Sequence, residues 1–138
     1  MFEPDKKSGG FVVTFPDFGY GVTQGETLEE ALDMAQDLLK CTIADFIEAD
    51  KDLPNPAKPK GKHYHQIGLP ILEAMKVELY VTFRESGMRK AELARRTGIA
   101  KANIDRLFDL NHASRVDQVE AAFRALGKSL AVDVTDAA

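Results

Sequence analysis

The chain has 138 residues, of which 44% are hydrophobic and 29% charged, and its formal net charge is −4 at pH 7. This composition is typical of a globular protein with one ordinary domain or two very small ones, and no apolar run approaches the roughly 18 residues of a membrane span. The single cysteine, Cys41, excludes an intramolecular disulfide and a cysteine cluster for a metal. Because no signal peptide is visible either, we expect a cytoplasmic protein with no cofactor and no membrane contact.

The charge is distributed unevenly along the chain. Residues 1–87 contain nine Lys or Arg against 15 Asp or Glu, whereas residues 88–128 contain nine against five. The first segment therefore carries a net charge of −6 and the second a net charge of +4. This division predicts two modules with different partners, because a basic module attracts phosphates and an acidic module attracts a cationic surface.

The first 25 residues contain three segments typical of short β-strands. In GGFVVTF, Phe11, Val13 and Phe15 would fall on one face of a strand, and the β-branched and aromatic content supports that prediction. Met1–Pro4 is interpreted as the end of a preceding strand and Tyr20–Gln24 as a third strand.

A long amphipathic helix is predicted from Thr27 to about Ala49. Thr27 and Glu30 have the T-x-x-E spacing of a capping box. The apolar stripe of this helix comprises Leu28, Leu32, Ala35, Leu39, Ile43 and Phe46. The opposite face is acidic and comprises Glu29, Glu30, Asp33, Asp37, Asp45 and Glu48. Such a face is either plain solvated surface or a docking surface for a basic partner, and the helical pattern alone favours neither.

A polar, proline-rich segment, Asp50–Lys62, is predicted to be a loop. His63–Leu69 follows as a further strand, in which His63 and His65 would point to the same side. Two histidines at this spacing can bind a metal, but no carboxylate or cysteine completes a ligand set in the sequence. A pair of ordinary histidines is therefore the favoured interpretation.

Arg89–Leu110 has the spacing of a helix-turn-helix, and it follows an amphipathic helix predicted over Ile71–Glu85. Ala94 is the small residue where two helices cross, and Gly98 can take the positive φ that a tight turn requires. The predicted buried face consists of Leu93, Ile99, Ile104 and Leu107. Any helical hairpin could contain such a glycine, but the register of the apolar positions and the basic surface favour a DNA-binding motif.

The second helix of this motif, Lys101–Asp109, would present short polar and cationic side chains outward. These are Lys101, Ala102, Asn103, Asp105 and Arg106. Residues of these kinds read base edges and phosphates in a major groove. We expect Arg89 and Arg115 to contact phosphates instead of bases. Asp105 has two interpretations, either as an acceptor for a base or as a poor orienting partner for Arg106.

The last predicted elements are a helix and a strand. The helix covers Val116–Leu126 and is stopped by Gly127, and the apolar run Leu130–Val134 predicts the strand. That strand would have no neighbour in its own module, so a second copy of the chain is the expected partner for its edge. We therefore predict a homodimer, and pairing of dimers into a tetramer is left open.

Two segments of the chain together resemble a known family. Phe15–Ala31, FPDFGYGVTQGETLEEA, closely resembles the strand–turn–strand–helix signature of HicB-type antitoxins, in which PD-x-x-G-x-x-T-x-G-x-T-x-x-EA is typical. The later segment ELARRTGIAKANIDRLFDLNHASRVDQVEAAFRALGKSLAV looks like the helix-turn-helix version of that family. The resemblance covers nearly the entire chain. It departs from the family pattern in a short first strand and at Gly19, where proline is common.

The resemblance implies an α+β protein of two domains. Residues 1–68 would form an acidic toxin-binding domain similar to a partial RNase H-like βββαβ unit. Residues 69–138 would form an all-α helix-turn-helix domain of the lambda-repressor-like kind, with a short C-terminal strand, for DNA binding and dimerisation. Such an antitoxin masks a HicA-type toxin, a small basic ribonuclease that cleaves mRNA, and represses its own operon by binding operator DNA. The candidate toxin contacts are Glu29, Glu30 and Asp33.

Two other classes of function are alternatives. One is a stand-alone helix-turn-helix transcriptional regulator whose N-terminal domain senses a small molecule, although nothing in residues 1–68 indicates an apolar pocket. The other is a nuclease with residual RNase H activity. That chemistry needs several carboxylates converging on divalent metals, whereas Asp17 and Glu26 are scattered acids near the predicted strand ends. An adjacent reading frame for a small basic protein would favour the antitoxin.

Overall fold

The computed structural model of the protein describes residues 2–4, 11–15, 18, 22–54 and 67–136. The chain separates into two compact units, Met1–Ile71 and Leu72–Ala138, which we call unit 1 and unit 2. The described residues are mostly helical, because each strand has only three or four residues whereas the longest helix has 21. No helix in these ranges is both long and apolar enough to cross a membrane.

Three short antiparallel strands form the sheet of unit 1, in the order β1–β2–β3. They are β1 (Phe2–Pro4), β2 (Phe11–Thr14) and β3 (Val22–Gly25). Phe2 pairs with Val13, and Phe11 pairs with Gly25, so β2 is the central strand. Each strand overlaps a segment that the sequence predicts to be extended. The predicted strand His63–Leu69 lies mostly outside the described residues, and its described part, residues 67–69, has no regular structure.

The long helix of unit 1, α1 (Leu28–Glu48), begins at the predicted cap. Thr27 Oγ1 accepts a hydrogen bond of 3.1 Å from the Glu30 backbone N–H, which satisfies one of the unpaired donors of the first turn. The side chains of α1 that are buried are Ala31, Ala35, Thr42, Ile43 and Ile47. Leu28 belongs to the predicted stripe but is 38% exposed, so the buried face is centred slightly away from the predicted one.

The contact between β3 and α1 depends on small residues. A Cβ atom at Gly25 would lie 2.5 Å from the backbone nitrogen of Ala31 and 2.8 Å from its Cα. Ala31 and Ala35 are fully buried. The half-buried side chains packed against these two alanines are Phe15, Leu32 and Ile67. Glycine on the strand and alanine on the helix therefore let the two backbones approach closely.

Unit 2 is built from four helices. They are α2 (Ile71–Ser86), which begins at the unit boundary, α3 (Lys90–Thr97), α4 (Lys101–Leu107) and α5 (Val116–Ala125). The largest fully buried apolar side chains are Leu79, Leu93, Ile104, Leu107 and Val119. Since they come from all four helices, one shared core stabilises the unit. Tyr80 and Phe83 add aromatic contacts to the ring of Phe108, with centroid separations of 6.3 and 5.0 Å.

The strand predicted at Leu130–Val134 does not form within the single chain. Residues 128–136 have no regular secondary structure, and the side chains of Val132 and Val134 are 91% and 90% exposed. Their alternation with Asp133 is strand-like, but the described residues of unit 2 contain no strand that could pair with them. An extended segment without a hydrogen-bonding neighbour does not form a sheet, whatever its hydrophobic pattern.

Candidate DNA-binding surface

α3 and α4 are joined by a tight turn at the predicted glycine. Gly98 has φ of +73°, and its N–H donates a 2.9 Å hydrogen bond to the carbonyl of Ala94. Thr97 Oγ1 donates to the carbonyl of Leu93 at 2.8 Å and accepts from the N–H of Ile99 at 3.2 Å. Because glycine takes positive φ without a steric penalty, α3 ends here and α4 begins three residues later.

The two faces of α4 differ sharply in polarity. Ile104 and Leu107 are fully buried, as is Leu93 of α3. The outward residues are those that the sequence predicts: Lys101, Ala102, Asp105 and Arg106 are exposed, and Asn103 is half-buried. Arg106 Nη1 donates a 3.1 Å hydrogen bond to Asn103 Oδ1. Arg106 and Asn103 therefore contact each other on this face. Both side chains can form two hydrogen bonds to a base edge.

Asp105 has a partner that neither interpretation from the sequence included. Its Oδ1 lies 3.2 Å from Nζ of Lys90, at the start of α3. The same ammonium lies 5.6 Å from the centroid of the Phe108 ring, within the range of a cation–π contact. The carboxylate of Asp105 thus ties α4 to α3 and holds a lysine at the edge of the exposed face.

The two arginines predicted to contact phosphates lie at the starts of helices. Arg89 is the exposed N-cap residue of α3, and Arg115 is the exposed N-cap residue of α5. Arg115 Nη2 lies 2.8 Å from Asp117 Oδ2, so a phosphate would compete with this carboxylate. Exposed pairs of this kind are weak, and the closely spaced phosphates of DNA can displace them.

Lys76, a residue that the sequence analysis did not single out, lies beneath this surface. Its side chain is fully buried, and Nζ donates to the carbonyls of Arg106 at 3.0 Å and Asp109 at 2.7 Å and to that of His112. Burial lowers the pKa of the Lys76 ammonium, while the carboxylates of Asp109 and Glu73 oppose that shift. One feature of the sequence could have indicated that Lys76 is buried. It lies four residues after Leu72, in register with the apolar stripe of α2.

The candidate toxin contacts form part of an exposed acidic face on α1. Glu29, Glu30 and Asp33 are all exposed, and no ion pair involves them within the part of the chain that the structure describes. Glu29 and Glu30 lie in the first turn, where negative charge also stabilises the positive end of the helix dipole. Two exposed apolar side chains, Leu28 at 38% and Met34 at 42%, lie on the same helix.

The arrangement of carboxylates and histidines does not form a metal centre in the described ranges. No group of three or more His, Cys, Asp or Glu side chains there could hold a metal ion. The predicted histidine pair at positions 63 and 65 and the acid Asp17 lie outside the described residues, and Glu26 is exposed.

Comparisons with known proteins identify the family. The sequence profile of the HicB-like antitoxins of bacterial toxin–antitoxin systems matches residues 1–78, which is more than half of the chain. The chain belongs to the HicB-like antitoxin family. It is similar to Antitoxin HicB of Escherichia coli K12, with 43% identity over 124 residues that cover 90% of this chain and 89% of the relative. Antitoxin HicB 1 of Photorhabdus laumondii is 36% identical over 128 residues, covering 93% and 81%. Antitoxin HicB of Pseudomonas fluorescens is 38% identical over 110 residues, covering 80% and 75%.

These matches confirm the resemblance to HicB-type antitoxins. The alignment with the Escherichia coli antitoxin covers 124 residues, which is more than either unit contains. The similarity to that antitoxin therefore includes residues of both units. Membership of the HicB family supports an antitoxin role in a toxin–antitoxin system, with a toxin as the partner, and it suggests a regulatory role without catalysis. It does not favour the alternative of a small-molecule-sensing regulator.

Proposed function

We propose that this HicB-family chain is a cytoplasmic antitoxin with two binding surfaces. The acidic N-terminal module masks a HicA-type, mRNA-cleaving toxin, and the C-terminal helix-turn-helix module binds operator DNA and represses the antitoxin's own operon. The observation that supports the DNA-binding part is the outer face of α4. Lys101, Asn103 and Arg106 lie on this face, whereas Ile104 and Leu107 on the opposite face are fully buried. In this proposal α4 is the recognition helix.

The chemistry of the α4 face suits a major groove. An arginine can donate two parallel hydrogen bonds to the O6 and N7 atoms of guanine, and an asparagine can pair in the same way with adenine. Arg106 and Asn103 hold each other at 3.1 Å in the free protein, so a base edge would replace this bond or share it. Lys101, at the first position of α4, suits either a base or a phosphate. Ala102 contributes little bulk, which lets the helix approach the groove closely.

The flanking cations suit phosphates. Arg89 and Arg115 occupy the N-cap positions of α3 and α5, whereas the charge of Lys90 is already balanced by Asp105. Phosphate contacts fix the register of a protein on the duplex without reading its sequence. In this arrangement Asp105 pairs with Lys90 and does not itself bind a base.

A homodimer completes the DNA-binding proposal. Val116, at the start of α5, is 55% exposed, and Val132 and Val134 are almost fully exposed. A second copy of the chain is the partner that would cover these side chains, with two-fold symmetry. Two recognition helices would then meet successive major grooves about 34 Å apart. The proposal leaves open whether two such dimers associate into a tetramer.

Toxin masking is assigned to the N-terminal module, which we propose is a partial RNase H-like unit. Opposite charge favours the encounter of its acidic α1 face with a basic ribonuclease, and Glu29, Glu30 and Asp33 are exposed for that purpose. Masking works here by covering the surface with which the toxin binds RNA. The described residues do not assemble the metal-binding carboxylates that RNase H chemistry would require.

The test uses the full chain and the product of the neighbouring toxin gene. The purified toxin is incubated with a reporter mRNA, with and without a stoichiometric amount of the antitoxin, and the same antitoxin preparation is titrated with DNA from upstream of its operon. We expect mRNA cleavage to stop and the upstream DNA to bind more tightly than a scrambled duplex. Full cleavage in the presence of a stable excess of the chain would overturn the masking role, and equal affinity for both duplexes would overturn the operator role.

A further inference from the structure

The buried ammonium of Lys76 meets three main-chain carbonyls at one end of α4. The acceptors belong to Arg106, Asp109 and His112, which lie 30, 33 and 36 residues after Lys76 in the sequence. These are the carbonyls of the last turn of α4 and of the loop behind it. A lysine ammonium has three N–H donors and no acceptor, so its hydrogen-bonding capacity is used completely by this set.

The Arg106 carbonyl is the most constrained of the three acceptors. It accepts from Lys76 Nζ at 3.0 Å, from the N–H of Asp109 at 3.1 Å and from Ser114 Oγ at 3.4 Å. The guanidinium of the same residue is exposed and donates to Asn103 Oδ1. The backbone of Arg106 is thus fixed from inside the unit, while its side chain faces outward.

The charge of Lys76 suits this place. The last carbonyls of a helix lack intrahelical donors and form the negative end of the helix dipole. A buried cation there satisfies the carbonyls and interacts favourably with the dipole, which offsets part of the cost of taking the ammonium out of water. An apolar residue would fill the space equally well but would leave the end of α4 and the loop at 109–112 without these bonds.

We propose that Lys76 is a positioning residue for DNA recognition, which sets the orientation of Arg106 by holding its carbonyl together with those of Asp109 and His112. This inference rests on the DNA-binding role of α4 proposed above. Lys76 itself touches no DNA, since its side chain is fully buried. Its effect on recognition passes through the backbone at the end of the recognition helix.

The test is a double-mutant cycle in the full-length protein. Lys76→Met, Arg106→Ala and the double variant are titrated with operator DNA and with a scrambled duplex of the same length. The readout is the ratio of the two affinities, because a lower folded fraction weakens both affinities equally and leaves the ratio unchanged. Val119→Ala, which opens a cavity at another fully buried position of unit 2, controls for loss of stability. Lys128→Met removes the same charge from an exposed position.

We expect Lys76→Met to lower the ratio about tenfold, within the range for losing one well-oriented base contact, and both controls to leave it unchanged. In the Arg106→Ala background, Lys76→Met should cause no further loss of the ratio, because the two residues act through one contact. An unchanged ratio in Lys76→Met, or an equal loss with and without Arg106, overturns the inference. A wild-type protein that does not prefer its operator overturns the proposed DNA-binding role and this inference with it.

A second measurement decides the matter if Lys76→Met does not fold. In the ¹⁵N-labelled wild-type protein, the Nζ protons of Lys76 should exchange with water at least about tenfold more slowly than those of exposed Lys128. Lys76→Gln, which keeps a shorter donor group, should fold and show an operator preference below that of the wild type but above that of Arg106→Ala. Exchange of the Lys76 Nζ protons as fast as that of Lys128 would show that the three bonds are not formed, and would overturn the inference.

Discussion

The ammonium of Lys90 lies 3.2 Å from the carboxylate of Asp105, so the proposed recognition helix carries an acid that is already paired with a cation of the preceding helix. An acidic residue facing DNA repels phosphate unless its charge is balanced. Here the balance comes from Lys90, which also contacts the ring of Phe108. The pair explains how Asp105 is tolerated on a surface that we propose to bind DNA.

Asp105→Asn should strengthen non-specific DNA binding. The substitution removes one negative charge and releases Lys90 to meet a phosphate, so the plot of log affinity against log salt should become steeper by about one charge. The measurement is a salt titration of binding to a scrambled duplex by fluorescence anisotropy. Asp136→Asn makes the same charge change at an exposed position beyond Val132 and Val134 and is the matched control. Equal effects of the two variants would mean that the Lys90 contact is irrelevant.

Arg106→Ala and Arg115→Ala should fail in different ways. If Arg106 reads a base, its loss should cost about 1–3 kcal/mol on the operator and much less on other sequences. Arg115→Ala should weaken all sequences about equally and flatten the salt dependence by about one charge. Both variants are titrated with the operator and with a duplex altered at single positions. A uniform loss for Arg106→Ala would reassign this residue to the phosphates.

Single substitution of Glu29, Glu30 or Asp33 by Ala should slow association with the toxin more than it speeds dissociation. Charges at the rim of an interface change the encounter rate and its salt sensitivity more than they change the affinity. Stopped-flow or surface-plasmon measurements at two salt concentrations separate the two rates. Glu48→Ala, at the other end of α1, carries the same charge change. Should it slow association as much as the three first-turn variants do, the docking surface would have to extend along the entire helix.

Gly25→Ala should destabilise unit 1. The added methyl group would lie 2.5 Å from the backbone of Ala31, so β3 and α1 would have to separate, at a cost of about 1–3 kcal/mol. Gly68→Ala is the matched control in the same unit, since a Cβ there meets nothing within 4 Å. Urea unfolding followed by circular dichroism measures both variants. Equal stability of the two would contradict the close approach of strand and helix.

The buried lysine predicts a pH dependence of stability. Because burial lowers the pKa of the Lys76 ammonium, against the opposing carboxylates of Asp109 and Glu73, the unfolded chain binds more protons than the folded one just below the ordinary lysine pKa of about 10.4. Lys76 therefore increases the free energy of unfolding as the pH rises from the folded-state pKa towards about 10.4. This increase is lost when the pH falls below the folded-state pKa.

The check compares wild type with Lys76→Met. We expect the variant to be less stable by about 2–4 kcal/mol near neutral pH, because each of the three carbonyls loses one of its donors. Its deficit should grow as the pH approaches about 10.4, because only the wild type contains the titrating group. Denaturant unfolding at a series of pH values provides the curve. A deficit that shrinks towards alkaline pH would mean that the folded protein raises this pKa instead.

Local features of this fold could be predicted from the sequence, and long-range features could not. The Thr27 cap and the turn at Gly98 are set by a few neighbouring residues, and the burial of Leu93, Ile104 and Leu107 follows from helical spacing. The pairing of Lys90 with Asp105 joins two helices, and the acceptors of Lys76 are at least 30 residues away. No local pattern identifies such partners. The segment Leu130–Val134 does not form a strand in the single chain for the same reason, since alternation specifies faces but supplies no neighbouring strand.

The most direct test of the account is the operator affinity of one triple variant, Lys101→Ala, Asn103→Ala and Arg106→Ala, in the full-length protein. The three side chains are on the outer face of α4, so the substitutions should leave folding and toxin masking intact. Fluorescence anisotropy with operator DNA should show a loss of affinity of at least about 100-fold, from two or more base contacts, while the variant still stops mRNA cleavage by the toxin. Unchanged operator affinity in a folded variant would contradict the assignment of α4 as the recognition helix.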